Sequence, residues 1–163
     1  NTPTKKVEEF LGKYQKMDDD VSVQLDEVLS KDDTMTAEQK DKYRSILEKQ
    51  YQNLSYKIKN EEIVGNNATV EVEIEVLDYA TSINNSKKYF LEHESEFLKE
   101  NEAQIKEDDL DKAKTYIDYK IEKLKEQKNK TKYQITFDLE KSGEVWELRN
   151  LNEIDRQKIH GLY

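Results

Sequence analysis

The stretch NNATVEVEIEVLDY, Asn66 to Tyr79, sets Glu71, Glu73 and Glu75 between Val70, Val72, Ile74 and Val76. Side chains two residues apart on a strand share a face, so the pattern predicts a half-buried strand with aliphatic groups inward and carboxylates outward. Three carboxylates at this spacing are also a candidate metal site or catalytic ladder. The residues just before them bear on that choice. Leu54, Tyr56 and Ile58 alternate with Ser55, Lys57 and Lys59, and Gly65-Asn66-Asn67 supplies residues that tolerate positive φ, which together predict an antiparallel hairpin. Placing Ile58 opposite Ile74 sets Lys59 against Glu73 and Lys57 against Glu75. Such cross-strand pairs contribute about 0.2–1 kcal/mol and neutralise the charge a cation would need. The glutamates therefore read as the solvated face of a sheet. The alternation loses its parity at Ile63 and Val64, which predicts a bulge or strand end between them and Ile58.

Working outward, Tyr133, Ile135, Phe137 and Leu139 form a third alternating strand. Ser142-Gly143 predicts a two-residue turn, and Val145 to Leu151 returns with Trp146 and Leu148 inward. Before the first hairpin, Val7, Phe10, Leu11, Tyr14 and Met17 recur at helical spacing behind Thr2-Pro3-Thr4. Asp18-Asp19-Asp20 offers a cap for a second helical piece through Val21, Leu25, Val28 and Leu29. Thr36-Ala37-Glu38-Gln39 is a capping-box pattern and predicts a helix from about Ala37 to Gln52. Residues from about Ser82 to Lys130 read as helix, but these 49 residues unbroken would extend about 74 Å at 1.5 Å per residue, against a radius of gyration near 15 Å for a domain of this size. A break is expected at Glu107-Asp108-Asp109. A short helix from Glu153 to Ile159 closes the chain. The order predicts a single α+β domain over residues 1–163: an antiparallel sheet packed by N-terminal helices, with a long helical insertion between two hairpins.

The chain of 163 residues is 39% charged with a formal net charge of -9, against about 25% charged in ordinary domains. Val, Ile, Leu and Phe make up about 23% of it, above the roughly 20% below which high charge implies disorder. A folded acidic domain is expected. The acidic balance opposes binding to nucleic acid and to anionic lipid headgroups. No apolar run reaches about 18 residues, the length of a membrane span. Zero cysteines exclude disulfides, thiolate metal sites and cysteine nucleophiles.

The catalytic inventory is thin: G-x-S-x-G, H-E-x-x-H, G-x-G-x-x-G and the P-loop are all missing. His93 and His160 are far apart in sequence and read as surface or packing residues. Asp18-Asp19-Asp20 fails the calcium-loop pattern, with no glycine at the sharp turn and Leu29 where the twelfth-position glutamate belongs. Neither a metal nor a cofactor is expected. Tyr56, Tyr79, Tyr116, Tyr119, Tyr133 and Trp146 are candidates to line a ligand cleft between sheet and helices, hydroxyl tips supplying specificity, with plain core packing as the competing reading.

The segments YKIKNEEIVGNNATVEVEIEVLDY, Tyr56 to Tyr79, and VWELRNLNEIDRQKIHGLY, Val145 to Tyr163, resemble surface lipoproteins of Gram-positive bacteria (Firmicutes). Those are similar in turn to the cystatin-like, nuclear transport factor 2-like superfamily, a cone of helices wrapped on a curved antiparallel sheet. The resemblance spans nearly the whole chain, and its motifs are strand and turn patterns. It implies export and a lipid-modified cysteine just before Asn1, anchoring the domain to the outer face of the cytoplasmic membrane, the only contact with membrane expected. Enzymes of the superfamily use Asp, His or Tyr inside the cone, and no motif here carries such a residue over. The first expectation is a non-catalytic domain that binds a small molecule, peptide or envelope protein. An isomerase or dehydratase on the same fold needs a titratable group deep in the cone, and a structural interaction module is favoured by a cone packed solid.

Overall fold

A computed structural model describes residues 1–163. Its sheet is a four-stranded antiparallel meander, β1 (Ser55–Val64), β2 (Asn67–Leu77), β3 (Lys130–Ser142) and β4 (Val145–Leu148), in that order across the sheet. The alternation in β2 resolves as expected: Ala68, Val70, Val72, Ile74 and Val76 are buried, while Glu71 is exposed and Glu73 and Glu75 half-exposed. Ile135, Phe137 and Leu139 of β3 continue the buried face. The mean sheet therefore has one dry face and one wet face, the usual arrangement for antiparallel strands with helices on one side.

The register of the first hairpin differs from the one expected. Tyr56 faces Ile74, Ile58 faces Val72 and Lys57 faces Glu73, with the register shift falling between Ile58 and Asn60. Parity permits any even displacement. The extra residue at Lys59 is what sets the actual one, because it lets Glu61 and Ile63 pair with Val70 and Ala68. Lys59 consequently faces no glutamate. The ammonium near the glutamates comes from β3, where Lys132 Nζ lies 3.8 Å from Glu73 and 4.0 Å from Glu75. Both hairpin turns place glycine first, Gly65-Asn66 and Gly143-Glu144, with φ of +61° and +62°. The second turn is thus one residue later than expected, since the position needing positive φ is the first of the two, and Ser142 stays in the ladder opposite Val145.

Three helices precede the sheet: α1 (Pro3–Gln15), α2 (Asp19–Lys31) and α3 (Ala37–Asn53). Thr2 caps α1 by accepting from the Lys5 amide at 3.1 Å. The break before α2 occurs where expected, but the Asp18 side chain makes no capping bond. Met17 instead turns the chain, at φ +50°. The capping box of α3 is complete: Thr36 Oγ1 accepts from the Gln39 amide at 3.1 Å and Gln39 Oε1 accepts from the Thr36 amide at 3.0 Å. Val7 and Leu11 of α1, Leu25 and Leu29 of α2, and Leu47 and Tyr51 of α3 join the aliphatic face of the sheet in one core, α2 packing against α1 and α3.

The insertion between β2 and β3 departs from the expected helix over 82–130. Helix α4 (Tyr79–Glu92) starts earlier, because Asp78 Oδ1 accepts from the Thr81 amide at 3.1 Å. Helix α5 (Lys114–Glu126) starts later, and Lys130 already belongs to β3. The expected cap Glu107-Asp108-Asp109 opens a 3-10 turn over Glu107–Lys112 rather than an α-helix. Its tight winding drops Leu110, fully buried, between Phe90 and Tyr116. Burying those three together requires the chain to fold back between His93 and Ala113, which no continuous helix can do. Helix α6 (Glu153–His160) ends on Gly161, at φ +71°.

Candidate functional site

The space between sheet and helices, where a ligand cleft was expected, is filled by side chains. Val70, Val72, Ile74 and Ile135 from the strands and Val7 and Leu11 from α1 are 0–1% exposed. The six aromatic candidates accordingly do not share a cavity. Tyr56, Tyr133 and Trp146 belong to or border the sheet-backed core. Tyr133 meets Tyr163 edge-on at 5.6 Å, and Lys141 Nζ lies 5.7 Å from the Trp146 ring. Tyr79 is buried with Ile46, Leu77, Ile117 and Ile121, its hydroxyl donating to the Ile46 carbonyl at 3.2 Å. Tyr116 and Tyr119 lie in a third cluster around Phe90. Burial pushes the Tyr79 and Tyr116 hydroxyls up to about 12, which suits packing groups. Tyr119 borders an open cleft of about 360 Å³ between α4 and α5, whose Ser82, Ser86 and Gln127 already bond within the protein.

A larger cleft, of about 440 Å³, opens among α1, α2, α3 and α6. Its walls follow from helical spacing: Val21, Leu25 and Val28 recur along one side of α2, Leu47 and Tyr51 along α3, and Ile159 comes from α6. Val28 is 68% exposed although it lines this space. The polar groups gather on α6 and along the rim of α2, as Arg156, His160, Gln24, Glu27 and Lys31. Lys31 and Glu27 hold each other at 3.3 Å.

At the floor, Tyr14 meets Tyr51 edge-on at 4.9 Å, and the Tyr51 hydroxyl lies 2.7 Å from His160 Nε2. Burial lowers the His160 pKa below the ordinary value; Glu153 opposes that shift, and the Arg156 guanidinium adds to it. With the imidazole neutral, the tautomer decides which of the two groups donates in this contact. Burial also raises the Tyr51 hydroxyl, reinforced by Tyr14 and Tyr43. The His160 carbonyl is fixed as well, since Gln50 Nε2 donates to it at 3.0 Å and to the Leu77 carbonyl at 2.9 Å, while Gln50 Oε1 accepts from the Leu77 amide at 2.9 Å. Gly161 must be glycine, because a Cβ there would overlap the Leu77 carbonyl and the Gln50 amide.

The sequence reading missed this site. His160 reads there as a surface or packing residue and Tyr14 as part of a helical stripe, because the cleft forms only when helices from the two ends of the chain meet. No local signal in the sequence marks it, since the exposure of Val28 in an otherwise buried stripe appears only once the helices pack. No three His, Asp or Glu side chains converge as ligands for an ion. Asp20 of the aspartate run is paired with Lys13 at 3.3 Å.

Comparison of the chain with protein-family models, with curated proteins and with solved structures returns no match. No helix is long and apolar enough to cross a membrane.

Proposed function

We propose that this chain is a non-catalytic binding domain with a cystatin-like arrangement of helices on its sheet. It is carried at the Gram-positive cell surface by a lipid anchor upstream of Asn1, and it takes a small molecule in the cleft among α1, α2, α3 and α6. The observation that carries the binding reading is the contrast between two spaces. The interior is packed solid, which by itself favours an interaction module, while the helical cleft is open at about 440 Å³ with apolar walls and polar groups on α6, at its floor and along the α2 rim, and it is this open cleft that supports binding. Ligand sites combine this size, an apolar lining and a few oriented polar groups. The resemblance of the segments Tyr56 to Tyr79 and Val145 to Tyr163 to surface lipoproteins supports the location.

Native mass spectrometry of the purified protein tests the binding reading: a retained small molecule, lost in Val28→Glu, is expected. Mass equal to the bare chain, with no small molecule from a broad panel changing the Val28 methyl resonances, overturns it. Metabolic labelling of the full-length protein with a tagged fatty acid tests the anchor. An unlabelled product found in the cytosol overturns that part.

A second reading, an isomerase or dehydratase, draws on the 2.7 Å contact between Tyr51 and neutral His160 beside the cleft. It requires the retained ligand to be converted, with conversion abolished in His160→Gln. An unchanged ligand mass after prolonged incubation removes it.

A further inference from the structure

The chain has three arginines, and their pairing differs. Arg44 is held by Asp26 at 2.6 Å and Glu48 at 3.0 Å, and Arg149 by Glu140 at 3.2 Å. Arg156 alone is paired with no carboxylate, in a chain whose acidic groups outnumber its basic ones 36 to 27. It is also the arginine that lines the 440 Å³ cleft. We propose that the cleft binds a monocarboxylate with an unbranched apolar chain, its carboxylate on the Arg156 guanidinium and its chain along Val21, Leu25 and Val28. This rests on the cleft being the ligand site, as argued above, and adds the class of ligand.

The head group follows from charge. A guanidinium presents a planar fork that matches a carboxylate in a two-pronged contact. Lys31, the other cation on the rim, is already engaged by Glu27, so the local surplus suits one negative charge rather than two. The net charge of -9 repels anions at long range, but that field is screened beyond about 10 Å at ordinary salt. Within the cleft Arg156 is the one cation without a carboxylate partner.

The body follows from hydrogen bonding. The cleft walls are α-helices, whose backbone N–H and C=O groups are satisfied internally away from their ends. A peptide would bring one donor and one acceptor per residue into walls that offer few partners, and unpaired polar groups are expensive to bury. An acyl chain brings none. His160 supplies an independent reporter. The groups facing it are Tyr51 from α3, Tyr14 from α1, Glu27 and Lys31 on the α2 rim, and Glu153 and Arg156 on its own helix. A carboxylate seated on Arg156 offsets the repulsion that disfavours the imidazolium, so the His160 titration moves upward on binding.

Titration calorimetry with laurate and lauryl alcohol, both below their aggregation concentrations, tests the proposal on wild type, Arg156→Gln and Val28→Glu. The expected result is laurate binding at least about tenfold tighter than the alcohol. That preference is lost in Arg156→Gln, both ligands are lost in Val28→Glu, and the His160 ring resonances titrate at higher pH when laurate is bound. Equal affinity for acid and alcohol, or a preference that survives Arg156→Gln, overturns the head-group assignment while leaving the cleft as a binding site. Tighter binding of an apolar hexapeptide with a free C-terminus than of laurate makes the occupant a peptide and overturns the acyl assignment. Binding undisturbed by Val28→Glu, or no saturable laurate binding to the wild type, overturns the inference. The broader reading then stands or falls separately on the native mass measurement.

Discussion

The sheet-backed core and the α4–α5 hairpin each bury a set of apolar side chains, yet they are held by different kinds of contact. In the core, β2 is paired along its length with β1 on one side and β3 on the other, and helices from both ends of the chain close over it. In the hairpin, burial is split between Ile117, Ile121 and Leu124 around Tyr79 and a separate aromatic group of Phe90, Leu110 and Tyr116. Between His93 and Ala113 its backbone has short-range turn bonds only. A side chain locked in a continuous ladder must give way with the whole sheet, whereas one in a folded-back loop can give way with its neighbours alone. The two regions should therefore open at different free energies.

The sharpest way to break that contrast is a matched pair of truncations. Phe137→Ala and Phe90→Ala remove the same ring from sites 2% and 0% exposed, and a buried Phe→Ala typically costs about 3–5 kcal/mol. Phe137→Ala should lower global stability by that amount in urea. Phe90→Ala should cost less globally and instead strip hydrogen-exchange protection from residues 90–119 while β2 and β3 keep theirs. Equal loss in both regions makes the molecule one cooperative unit. The joint between the regions is the next target. The Gly161 carbonyl accepts from the Ala80 amide at 2.7 Å, so Gly161 ties α6 to the start of α4. Gly161→Ala should cost about 1–2 kcal/mol for the left-handed backbone alone, with the overlap at Leu77 added, seen as a lower melting temperature and weakened protection in both regions.

A smaller effect separates the regions by pH. Because His160 has a lowered folded pKa, its neutral form contributes stability that is fully present above the ordinary value of about 6.5 and is lost as pH falls through the folded value. Urea midpoints of wild type should drop over that window relative to His160→Gln, and the drop should register in α3 and α6 rather than at Phe90. The smallest change is expected at Tyr116, whose buried hydroxyl has no partner. Tyr116→Phe removes an unsatisfied group and should leave the melting temperature unchanged or raise it, within about 1 kcal/mol. A clear loss would show that this hydroxyl is satisfied in solution.

The same contrast explains what was legible in the sequence. Period-two alternation read Val70, Val72, Ile74 and Val76 as the dry face because parity is a local property. The Thr36–Gln39 box was legible because both partners lie within one turn. The register of β1 was not, since a bulge at Lys59 changes which residue is opposite without changing either strand's own pattern. The break in the insertion was expected from charge at Glu107, Asp108 and Asp109, yet its real cause is Phe90 meeting Leu110 and Tyr116 across 20 or more residues. The cleft is less legible still, because Tyr14, Tyr51 and His160 come together only when α1, α3 and α6 pack.

The extra residue in β1 has a meaning beyond register. A four-stranded sheet leaves two outer strands whose unpaired backbone groups invite another chain to add on. One of them, β4, is only four residues long. The other, β1, is bent at Lys59, carries Lys57, Lys59, Glu61 and Glu62, and has Glu61 accepting from the Thr4 hydroxyl and amide at 2.8 and 3.0 Å. Irregularity and charge at that margin protect the protein from templating its own aggregation, so that crowding many copies together should yield neighbours rather than fibrils.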